Sequence, residues 1–80
     1  MHQQRIRQAI RDFVIEIAAT PPGDDNLDLI ESGVIDSIRV LDLINYVAEK
    51  YAVTVTERDV YDGSFASIAT IANFVSGKRL

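Results

Sequence analysis

Leu29-Ile30-Glu31-Ser32-Gly33-Val34-Ile35-Asp36-Ser37-Ile38 marks the point where a long acidic connection gives way to an amphipathic helix. Gly33 suits a turn that needs a backbone conformation other residues resist. Asp36 is a good N-cap, because its carboxylate can accept the first N–H groups that a helix leaves without internal partners. Ser37 follows directly, at the mouth of that helix. There the positive end of the helix dipole favours an anionic substituent such as a phosphodiester. On these residues alone, Ser37 is either a modification point or part of an ordinary N-cap.

Downstream of Ser37 the spacing predicts a helix over 37–51. At 100° per residue, Val40, Leu43, Ile44, Val47 and Tyr51 share one side. Ile38, Asp42, Asn45 and Glu49 lie opposite, with Arg39 and Tyr46 on a flank. Ile38 is thus an apolar residue on the wet face. Upstream, Ile6, Ile10, Phe13, Val14 and Ile17 form one stripe of a helix over 3–19, with Ile15 off the stripe, and Pro21-Pro22-Gly23 ends it. The acidic connection 20–36 is long for a small domain, which is a mark of function, and Leu27, Leu29, Ile30, Val34 and Ile35 within it can pack back on the core.

Ala52-Val53-Thr54-Val55 is β-prone but has no partner strand, so it reads as an extended connector. Thr56-x-x-Asp59 has the form of a capping box and opens a short helix to about Tyr61. Asp62-Gly63 is a turn. A last helix is predicted over 65–76, capped by Ser64 and stopped by Gly77, with Phe65, Ile68, Ala69, Ile71, Ala72 and Val75 inward. Three main helices and one short one make a small all-α four-helix bundle, and residues 1–80 make one domain. Its interhelical contacts are expected to be purely apolar.

Composition narrows the chemistry. The chain has 80 residues, 48% of them apolar, and no Cys, so disulfides, thiolate catalysis and Cys zinc sites are excluded. The one His, His2, lies at a terminus expected to fray, which leaves no His-based triad or metal site. Asp24, Asn26 and Asp28 alternate as in a calcium loop, but the required Gly and distal Glu are misplaced. No catalytic residue and no metal site is assigned. The net charge is −4 and its distribution is uneven: residues 1–11 carry three Arg and no acid, and residues 12–36 carry seven acids and no base. So acidic a chain is not expected to bind nucleic acid, though basic protein surfaces would attract it. No apolar run approaches a membrane span and no signal-peptide block is present, so a cytoplasmic monomer is expected.

The Gly-x-x-Asp-Ser-Ile run of residues 33–38, midway along an acidic chain with this order of helices, resembles the acyl carrier protein family over essentially the whole chain. The resemblance implies that Ser37 carries covalent 4′-phosphopantetheine, flanked by Asp36 and Ile38 as recognition residues. A phosphopantetheinyl transferase would move the group from coenzyme A, normally with magnesium. The arm's thiol would hold acyl or aminoacyl groups as thioesters, which accounts for a carrier without Cys. The chain would be a substrate of loading and acyl-transferring enzymes and not itself an enzyme.

Fatty-acid members of the family usually have an acid two residues after the serine, where this chain has Arg39; Ala48 and Lys50 also occupy places often acidic. Asp42 and Glu49 remain as partner-binding acids, with Arg39 acting in the opposite sense. The departure favours a free-standing carrier of polyketide, nonribosomal-peptide or related specialised biosynthesis. A fatty-acid carrier and an aminoacyl carrier of D-alanyl type are the alternatives within the family. A helical interaction module with unmodified Ser37 is the alternative outside it.

Overall fold

The apolar stripe of the N-terminal segment winds into α1 (His2–Ile17), the longest of four helices in a computed structural model that describes residues 2–79 and the side chains of 3–78. It is followed by α2 (Arg39–Tyr51), α3 (Glu57–Tyr61) and α4 (Ile68–Arg79), with no strand among the described residues. The fold is the expected all-α bundle of three main helices and one short one. The expectation about His2 falls on a side chain outside those described.

α1 packs chiefly along α4, and α2 lies against both. Ile6, Ile10 and Val14 of α1, Val40, Leu43 and Val47 of α2, and Ile68, Ile71, Ala72 and Val75 of α4 meet in the core. Phe13, Ile17 and Ile44, expected inside, are half-buried at its edge, and Ile15 is exposed as its place off the stripe requires. Phe74 packs against Phe65 at a centroid separation of 5.5 Å, a contact the periodicity did not assign.

Helix ends shift from their expected places for local reasons. α1 stops at Ile17, short of 19, and the Ala19 N–H donates instead to the Val34 carbonyl at 2.9 Å. α2 begins at Arg39, not Ser37, because Ser37 and Ile38 form the turn that leads into it. α3 has the expected capping box between Thr56 and Asp59. The hydrogen bond from the Thr56 N–H, chiefly, holds the Asp59 carboxyl below the usual carboxylate range.

α4 begins at Ile68, not 65, and Ser67 takes the place expected for Ser64. The Ser67 hydroxyl accepts from the Thr70 N–H at 3.2 Å, and Thr70 Oγ1 accepts from the Ser67 N–H at 2.9 Å. Phe65 is buried just ahead of the helix. Gly77 does not stop it: the helix runs on to Arg79.

The contacts between helices are not purely apolar. The Tyr46 hydroxyl of α2 donates to the Ala9 carbonyl of α1 at 3.3 Å, and Gln3 Nε2 of α1 donates to Asn73 Oδ1 of α4. Phe13 and Tyr46 stack with ring centroids 4.2 Å apart and planes within 10°. These directional contacts add a preferred register to what burial alone would leave adjustable.

Candidate functional site

The connection from residue 18 to residue 38 is held at both faces. Leu29, Val34 and Ile35 enter the core, while Leu27 and Ile30 stay exposed. The Leu29 N–H donates to the Ala66 carbonyl, and the Ala69 N–H to the Asp25 carbonyl, each at 2.8 Å, so the loop is tied to the segment that starts α4. Gly33 sits at φ +82°, a left-handed conformation that costs a side-chain-bearing residue roughly 1–2 kcal/mol.

The loop acids are turn formers. Asp24 Oδ1 accepts from the Asn26 N–H, and Asp28 Oδ1 accepts from the N–H groups of Ile30 and Glu31. Among the described residues no group of acids is placed to hold a metal ion.

Sequence spacing missed the tie between this loop and α1. Arg11 donates to Asp25 Oδ1 at 2.7 Å and to the Gly23 carbonyl at 2.8 Å, and Arg7 reaches Asp25 Oδ2 at 3.3 Å. The Arg11 hydrogen bond, aided by the charges of both arginines, holds the Asp25 carboxyl below the usual carboxylate range against its partial burial. Two of the three N-terminal arginines are thereby spent on loop geometry. The uneven charge of the two segments was the visible signal for this pairing.

At the end of the loop, Asp36 does not take the N-cap position expected of it: that position falls to Ile38, whose side chain makes no capping bond, and Asp36 binds the turn that leads into α2. Its Oδ1 accepts from the N–H groups of Ile38 at 3.0 Å and Arg39 at 2.7 Å, and its carbonyl accepts from the Val40 N–H at 3.2 Å. The N–H groups of this turn therefore bond to Asp36, and the Ser37 hydroxyl has no hydrogen-bond partner among the described residues. Ser37 is exposed, and Ile38 beside it is 75% exposed. A free hydroxyl on an open surface, at the start of a helix, can accept a phosphodiester without breaking any internal bond.

Leu41, which the periodicity passed over, is 59% exposed one turn after Ile38. The two form an apolar strip leading from Ser37. The helical wheel puts Asp42 and Tyr46 on the other flank of Ile38 from Leu41. Asp42, Glu49 and Lys50 border a groove of about 580 Å³ whose floor includes Phe13, Ile17 and Tyr46. Burial, and then the charges of Asp12 and Glu16, push the Tyr46 phenol above its ordinary pKa, which places two further acids of α1 near this groove. A second groove, of about 440 Å³, opens between the end of α1, the loop and the start of α2. Asp36 and Arg39 both line it.

No helix among the described residues is long and apolar enough to cross a membrane. Curated proteins and solved structures offered no match to the chain. The family model described as the phosphopantetheine attachment site matches residues 8–75, a span that takes in α1 from its second turn, the loop, Asp36-Ser37-Ile38, α2, α3 and most of α4. The chain belongs to the phosphopantetheine attachment site family, the carrier proteins that bear a covalent phosphopantetheine arm.

Proposed function

We propose that Ser37 is the attachment residue. The observation that carries the reading is the division of labour ahead of α2: Asp36 accepts the N–H groups of the turn, and the Ser37 hydroxyl is left exposed and unbonded. In the active site of a phosphopantetheinyl transferase, Ser37 Oγ attacks the pantetheine-bearing phosphorus of coenzyme A. A phosphodiester forms, adenosine bisphosphate leaves, and the serine proton passes to a base of the transferase. The arm supplies a thiol for thioester chemistry. This chain's own residues present and orient the serine, and the chemical steps belong to partner enzymes, as in family carriers generally.

Residues 1–80 act as one carrier domain, cytoplasmic and monomeric, that holds acyl or aminoacyl groups for specialised biosynthesis of polyketide, nonribosomal-peptide or related type. Arg39 supports that choice over a fatty-acid carrier, because it reverses the charge next to the serine. Ile38 gives partners an apolar contact. Asp36, Asp42 and Glu49 attract basic partner surfaces by screened charge, which suits complexes that form and part quickly. Incubation with coenzyme A, magnesium and a broad-specificity transferase should add one phosphopantetheine mass to the protein and none to Ser37→Ala. Ser37→Ala should retain the helical circular dichroism of the parent. A modified Ser37→Ala protein would refute the assignment.

A further inference from the structure

We propose that the groove between the end of α1 and the 30–35 loop is the resting site of the pantetheine arm, with the Arg39 guanidinium on its phosphodiester. This rests on attachment at Ser37. Asp36 and Arg39, which bracket the Ser37–Ile38 turn, both line the groove, so its mouth lies beside the attachment point. Its volume of about 440 Å³ falls within the roughly 300–1,000 Å³ of small-molecule sites.

Three charged residues line the groove, and Arg39 is the one cation among them. Arg7 and Arg11 are both committed to Asp25, but the Arg39 side chain has no ion-pair or hydrogen-bond partner among the described residues. A free guanidinium two residues from Ser37 is suited to a phosphodiester oxygen pair, which it can engage through its fork of N–H groups. Beyond it, Ile17 and Ile30 offer apolar surface for the arm's geminal methyl groups, and Ile30 is 44% exposed although it follows fully buried Leu29.

Glu16 also lines the groove. Its carboxylate accepts hydrogen bonds only, so it would repel the phosphate but can take the amide N–H groups further along the arm. Gly33 lines the groove as well, and a Cβ built there would meet nothing within 4 Å, so the space over the turn is open.

The test compares isotope-labelled apo protein with holo protein prepared from coenzyme A, with conversion followed by intact mass. The groove predicts amide shift changes at residues 16–19 and at Gly33, and nuclear Overhauser contacts from the arm's methyl groups to Ile17 and Ile30. Arg39→Gln, driven to complete conversion with excess transferase and verified by intact mass, should lose most of these changes. Changes confined to residues 36–41, or arm contacts to α3 instead, would overturn the groove and leave attachment intact. A protein that gains no mass, or gains it at another residue, would remove the attachment reading and the groove with it.

Discussion

Asp36 Oδ1 lies 2.7 Å from the Arg39 backbone nitrogen and accepts its hydrogen, so the residue that holds the turn into α2 is the one immediately before the exposed serine. Replacing Asp36 by Ala removes the acceptor of two N–H groups in the turn into α2, a cap-like contact worth about 1 kcal/mol, whereas Asn keeps the acceptor and most of that stability. Urea denaturation should give the order wild type, Asp36→Asn, Asp36→Ala. Transferase kinetics should follow the same order, because a frayed first turn presents Ser37 in many orientations. Equal stability of Asp36→Ala and wild type would mean that the cap contributes nothing.

The Asp25 carboxyl is held below the usual carboxylate range by Arg11 and Arg7, with its side chain 26% exposed. A folded pKa below the unfolded value contributes stability above the unfolded pKa of about 3.9, and that contribution is lost as pH falls through the folded value. Partly exposed ion pairs contribute little individually, so Asp25→Asn should cost about 0.5–1 kcal/mol near neutral pH. The difference between the two proteins should shrink below pH 4 and vanish at still lower pH. A difference independent of pH would show that Asp25 acts by shape and not by charge.

Val47 is fully buried and Ile38 is 75% exposed. Val47→Ala should therefore destabilise the protein by roughly 1–3 kcal/mol through cavity formation. Ile38→Ala should stay within about 0.5 kcal/mol of wild type, as exposed substitutions do, and should slow modification at Ser37. Paired denaturation curves check the first statement and transferase kinetics the second. A larger stability loss for Ile38→Ala would invert the face of α2 on which recognition is placed.

Tyr46 joins α2 to α1 by a ring stack on Phe13 and a hydroxyl bond to Ala9. Tyr46→Phe keeps the stack and loses one hydrogen bond, at a cost of about 0.5–1.5 kcal/mol. Tyr46→Ala loses the stack as well, which adds about 0.5–1.5 kcal/mol beyond the buried area. In an ultraviolet pH titration Tyr46 should ionise above the ordinary tyrosine pKa, because burial and then Asp12 and Glu16 oppose the phenolate. Tyr46→Phe should remove the Tyr46 contribution above the ordinary tyrosine pKa; an unchanged titration curve there would assign that absorbance to another group.

The sequence by itself determined what depends on neighbours three or four residues apart. Ile6, Ile10 and Val14 fall on one face because the helical repeat brings them together. Thr56 and Asp59, and likewise Asp36 and Arg39, meet across a single turn. Gly33 was legible because so few residues tolerate its φ of +82°. Ser37, Ile38 and the order of helices were legible for the same local reasons, helped by the resemblance of the 33–38 run.

Only the tertiary structure decided the rest, because those choices compare contacts distant in sequence. Ser64 and Ser67 are both acceptable caps by composition. Ser67 takes the position because the Asp25 carbonyl accepts from the Ala69 N–H and the Ala66 carbonyl accepts from Leu29, which fixes where α4 can start. Arg11 and Asp25, 14 positions apart, share no periodicity that would pair them; folding brings the first half of the loop back across α1. The groove lined by Asp36 and Arg39 likewise exists only because three separate segments, the end of α1, the 30–35 loop and the start of α2, converge there.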